Sequence, residues 1–87
     1  MTGKVNTSVA RAVANIAIFL EFSGEELLDA DAAVGVMEQL AADLQSLDGY
    51  AQRQLSTAIS LIASEYGAKE KEFLVGLPEK LGLEEET

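Results

Sequence analysis

The run over residues 9–22, VARAVANIAIFLEF, is apolar everywhere except at Arg11, Asn15 and Glu21. A helix that is apolar nearly all round is a buried one. The chain has 87 residues, enough for one small domain and one core, so this helix belongs at the centre of that core. Asn6, Thr7 or Ser8 caps its start. Val9, Val13, Ile16 and Leu20 recur at spacings of four, three and four, which makes them the inward stripe. Ala10, Ala14 and Ala17 widen the stripe and let a neighbour come close. Arg11 and Asn15 mark the wet side. Ile18 and Phe22 lie on that same side, so either the last helix or a partner covers them.

The segment Phe22-Ser23-Gly24-Glu25-Glu26-Leu27 carries a capping box, Ser23 with Glu26, and a hydrophobic staple, Phe22 with Leu27. Helix 1 therefore ends near Phe22 and a short turn follows over 24–28. Asp29 and Asp31 are poor helix-interior residues and good caps, so the chain bends there before helix 2 runs over 30–47. Whether 24–28 continues into helix 2 stays open. Ala33, Met37, Leu40, Leu44 and Leu47 form the stripe of helix 2, and Gly35 inside it costs about 1 kcal/mol against Ala. Leu47-Asp48-Gly49 is a turn with Asp48 capping helix 3, and so short a connection predicts that helices 2 and 3 are antiparallel neighbours. Helix 3 turns Ala51, Leu55, Ala58, Ile59, Ile62 and Tyr66 inward, with Gly67 just past its end. A short fourth helix over 69–76 brings in Phe73 and Leu74. Gly76-Leu77-Pro78 ends it, Pro78 opens one further turn, and Leu81 and Leu83 tack that turn down. The expected fold is all-α: a single domain over 1–87, a small bundle of three main helices plus a short C-terminal helix. Residues 1–6 are a polar lead-in and 84–87 an acidic tail. The expected core is Val13, Ile16, Leu20, Met37, Leu40, Leu44, Leu55, Ile59 and Ile62.

Nothing in this chain carries the usual chemistry. It has no histidine and no cysteine, so the commonest general base and the thiolate zinc ligand are both missing. No glycine lies in a phosphate-binding pattern. Asp29-Ala30-Asp31 begins like a calcium loop, but Ala33, Val34 and Leu40 occupy the remaining key positions. The reading is a protein that is not an enzyme, with no catalytic, cofactor or metal site. Lys4 and Arg11 come before a short apolar run, but Asn15 interrupts it and Glu21 closes it. That argues against a signal peptide or a membrane span and for a cytoplasmic protein.

Charge is the remaining signal. Fifteen acids face six bases, a net −9. Such a chain is repelled by nucleic acid and by anionic lipid, and it attracts a basic protein. Glu21, Glu25, Glu26, Asp29 and Asp31 crowd together with no base among them, and Glu38, Asp43 and Asp48 extend the same sign along helix 2. These eight acids are the candidate partner-binding residues, with Leu28 and Val36 supplying apolar contact. A solvated helix face would show the same acids. The Ile18 and Phe22 side is the other candidate contact.

The runs from Glu25 to Val34 and from Met37 to Leu47 resemble the small acidic helical immunity proteins of bacterial toxin–immunity pairs. That resemblance is one of style over about residues 20–66, without an invariant motif. It implies an all-helical inhibitor that binds and occludes a cognate toxin domain, and it transfers no individual residue role. Two other readings stand beside it. One is a self-associating structural or adaptor domain, a homodimer joined through Ile18 and Phe22. The other is a nucleic-acid mimic that blocks a DNA-binding machine.

Overall fold

The computed structural model describes residues 7–24 and 27–85. It holds four α-helices: α1 (Thr7–Phe22), α2 (Ala30–Gln45), α3 (Gly49–Ile62) and α4 (Ala68–Lys80), with a 3-10 turn at Ala63–Glu65 between the last two. No strand occurs among the described residues. The all-α class and the shorter last helix are as the sequence implies.

The helix starts obey cap chemistry. Asp29 stands in extended backbone and accepts the Ala32 N–H at 3.0 Å. Asp48 does the same for the Ala51 N–H at 2.8 Å. Each removes one of the unpaired donors of a first helical turn. Before Asp29, the N–H groups of Leu27 and Leu28 both donate to the Gly24 carbonyl, so a separate turn precedes α2. The capping box rests on Glu26, which lies outside the described residues. The staple does not form: Leu27 is 77% exposed, and Phe22 packs against Phe73 instead.

The core is built by α1, α3, α4 and the segment after α4. Helix α3 lies between α1 and α4 and packs on both. Its Leu55, Ile59 and Ile62 are buried, as expected, together with Ala58. Helix α1 meets the core through Ala10, Val13, Ala14 and Ala17, so the buried face is the alanine face and not the stripe of large residues. Small side chains let the backbones of α1 and α3 approach. The consequence is a correction: Ile16, expected in the core, is 47% exposed, and Leu20 is only half-buried.

Helix α2 departs furthest from expectation. It has no buried residue. Met37, Leu40, Ala41 and Leu44 pack against the core from outside, and its helix partner is α1 rather than α3. The expected antiparallel pairing of helices 2 and 3 is therefore replaced by packing on α1. The reason is competition for α3, whose apolar face is already covered by α1 on one side and α4 on the other.

Helix α4 takes the place expected of helix 2. It runs unbroken through Gly76 and Pro78, where the sequence suggested an end. Pro78 sits in the last turn, where only one intrahelical bond is lost. Beyond it, the N–H groups of Leu81 and Leu83 reach the carbonyls of Leu77 and Pro78. Leu74, Leu77 and Leu81 are fully buried, each contributing about 1.5–3 kcal/mol relative to exposure.

The segment after α4 is fastened by polar groups. Gly82, at φ +73°, turns the chain, and Leu83 is buried beyond it. The buried Gln52 amide donates to the carbonyls of Gln45 (3.0 Å) and Leu47 (2.8 Å) and accepts from the Glu84 N–H (2.9 Å). Ser56 Oγ donates to the Glu84 carbonyl at 2.7 Å, and Gln45 Nε2 donates to that of Leu81 at 2.7 Å. Among the described residues no buried side-chain polar atom lacks a partner.

Candidate docking face

Because α2 packs chiefly on α1, open grooves flank it. The first lies over the C-terminal half of α1. Leu20, Met37 and Ala41 line it, Val34 stands at its edge, and Glu21, Glu38 and Lys80 are the charged groups around it. Its volume is about 310 Å³. The second groove lies along the other side of α2, between Ile16 and the residues Gly35, Val36 and Leu40, with Asp43 also lining it.

The structure gives the eight candidate acids different positions and tasks. Glu21 and Glu38 meet at the first groove although seventeen positions separate them in the chain. Asp43 lines the second groove and accepts a hydrogen bond from Gln39 Nε2 at 2.9 Å. Asp31 is exposed in the first turn of α2, where a carboxylate meets the positive end of the helix dipole. Asp29 and Asp48 are exposed caps, so each already serves the fold. Glu25 and Glu26 lie outside the described residues. None of the described six forms an ion pair, because the one ion pair among the described residues joins Arg11 to Glu65.

That pair lies away from the grooves and ties α1 to the 3-10 turn. Arg11 Nε and Nη2 donate to the two Glu65 carboxylate oxygens at 2.9 Å each. The hydrogen bond from Arg11 foremost, with its charge, holds the Glu65 carboxyl below the ordinary carboxylate range. The same contact raises the Arg11 guanidinium. Nearby, Tyr66 Oη donates to Asn15 Oδ1 at 2.7 Å, so the wet side of α1 is engaged by the residue that follows the 3-10 turn.

The Ile18 and Phe22 side has partners within the chain on part of its surface. Ile18 packs against the core. The Phe22 ring meets Phe73 edge-on at 5.5 Å between centroids, and Lys69 Nζ stands 5.3 Å from its centre. Such ring and cation contacts each add about 0.5–1.5 kcal/mol. Helix α4 thus meets one side of the Phe22 ring, which stays 37% exposed.

Sequence reasoning missed two participants. Lys80 is remote from the acids in the chain, yet α4 carries it to the first groove. Ile16 has the spacing of the large-residue stripe, which by sequence alone places it in the core. Period alone does not tell which of two adjacent apolar stripes faces the larger neighbour. Among the described residues no group of carboxylates is arranged to hold a metal ion, and no helix is long and apolar enough to cross a membrane. Set against known protein families, curated proteins and solved structures, the chain matches none.

Proposed function

We propose that this chain is a binding protein of the immunity type, which occludes a basic partner protein, a toxin domain, through the face formed by α2 and the end of α1. One observation carries this reading. A 16-residue helix with no buried side chain exposes apolar residues on both flanks, and its only charged residues are the acids Asp31, Glu38 and Asp43. A monomeric domain gains little by leaving Val34 57% and Val36 49% exposed on one helix. A partner gains apolar contact at the centre and opposite charge at the rim. The mechanism is steric. The acidic face enters the basic groove that the toxin uses for its own substrate, and no chemistry by this chain is required.

The test is co-expression with the product of the reading frame immediately upstream. Growth arrest by that product, relieved by this chain, is the expected result. Relief should fail when Glu21, Glu38 and Asp43 are changed together to Lys, with helical content unchanged by circular dichroism. Absence of arrest, or relief untouched by the reversal, overturns the reading. Asp29 and Asp48 are left out of the set because their loss would also remove a helix cap.

A further inference from the structure

The second groove has a feature that the fold itself does not use. Gly35 lies in the interior of α2, where glycine weakens a helix relative to alanine. Apart from its chain neighbours and the backbone of its own helix, a methyl group placed there would meet no described atom within 4 Å. No internal packing therefore requires the missing side chain. The open space lies beside Ile16 and Val36, both about half exposed.

We propose that this groove seats an amphipathic helix of the basic partner, with a small-residue apolar face and lysine or arginine at its edges, and that Gly35 is the point of closest approach. The proposal rests on the docking-face reading above and narrows it to one groove and one shape of ligand. Charge selects the occupant. Asp43 is the charged residue lining this groove; the two helices that form it carry three further acids, Asp31 and, at the other groove, Glu21 and Glu38, and one base, Arg11, which is already bound to Glu65. A second copy placed symmetrically here would bring acid against acid, whereas a basic helix brings opposite charges together. The shape follows from the same residues. Ala32, Val36, Gln39 and Asp43 recur at three and four along one side of α2, the row that a helix lying alongside would read. Ala32 and Gly35 let the two axes close to about 8 Å, the near end of the usual helix–helix range.

The test uses the full chain, isotope-labelled for NMR, and a synthetic peptide of about 16 residues, matched to the length of α2. The peptide has Ala and Leu on one face and Lys along both edges; a twin carries Glu in place of Lys. Expected are shifts of the amide signals of Ile16, Gly35, Val36 and Leu40 on titration with the Lys peptide, and none with the Glu peptide. Gly35→Leu should weaken binding by about tenfold or more, with the melting temperature kept. Gly35→Ala should raise the melting temperature by roughly 2–8 °C while still weakening binding. Binding of both peptides alike, or of neither, overturns the proposal. If Gly35→Leu leaves the affinity within about twofold while Glu38→Gln with Asp43→Asn lowers it, the acidic-face reading stands and the groove assignment falls. If neither change alters affinity, both fall. If sedimentation equilibrium of the chain alone shows a dimer that Gly35→Leu dissociates, the occupant is a second copy and the basic-helix assignment is wrong.

Discussion

Gln52 Oε1 accepts the backbone N–H of Glu84 at 2.9 Å, and the same side chain spends its amide hydrogens on the carbonyls of Gln45, at the end of α2, and of Leu47 just beyond it. One buried side chain of α3 thus ties the connection between α2 and α3 to the chain beyond α4, more than thirty residues away. Gln52→Ala should cost about 1–3 kcal/mol in urea unfolding, since it leaves buried backbone groups without partners. Gln52→Glu should cost more at neutral pH, because a carboxylate would then face the Gln45 and Leu47 carbonyls. A Gln52→Glu protein as stable as the parent would show that water reaches this site.

Core and flank substitutions should separate sharply. Ile59 is wholly buried, so Ile59→Ala should cost roughly 2–5 kcal/mol. Ile16→Ala should fall within about 0.5 kcal/mol, as for exposed positions. Leu40→Ala should lie between them, because Leu40 packs on the core from one side only. Chemical denaturation of the three proteins checks the order, and equal losses at Ile59 and Ile16 would contradict the arrangement of α1.

How much of this was legible in the sequence can be read from those residues. Ile59 declared itself, because α3 has one apolar face and no rival. Helix α1 has two, an alanine face and a large-residue face, and the periodicity of either fits a buried helix. What decided between them was the closeness that Ala10, Ala14 and Ala17 permit against α3, a property of the pair and not of α1. Helix α2 has the cleanest spacing, yet it lies outermost, because α4 fills the third place in the core. Glycine at 76 and proline at 78 argued against a helix there, but burial of Leu74 and Leu77 outweighed both. The acidic character of the candidate face was plain in the chain. The meeting of Glu21, Glu38 and Lys80 depends on packing between distant segments and was not.

Gly82→Ala should be strongly unfavourable. The position has φ +73°, and an added Cβ would lie 2.6 Å from Gln45 Nε2. The variant meets both backbone strain and a displaced hydrogen bond from Gln45 to Leu81. A loss above about 1 kcal/mol is expected, read from thermal melts. An unchanged melting temperature would mean that the segment after α4 is not held as described.

The Arg11–Glu65 pair sets a direction for pH dependence. The folded Glu65 carboxyl lies below its unfolded value, so its contribution is present above the unfolded pKa and disappears as pH falls through the folded one. Arg11 stays protonated throughout this range. Both groups are exposed, so the effect is small and screened by salt. Glu65→Gln should lower the melting temperature slightly at neutral pH, and the gap should narrow as the solution is made strongly acidic and again in concentrated salt. A gap that widens in acid would reverse the sign and exclude the pair as its source.

A helix without a single buried side chain should also be the least expensive of the four helices to unfold. Its amide hydrogens, up to the last turn where Gln45 is held by Gln52 and Leu81, should exchange with solvent through a local opening that leaves α1, α3 and α4 assembled, since separating it from α1 exposes only half-covered side chains. Slow exchange should therefore stop at the turn before α3, and α2 should exchange with an opening free energy well below that of global unfolding. A ligand held by α2 would slow exchange there first, and the size of that slowing would report how tightly the ligand is held.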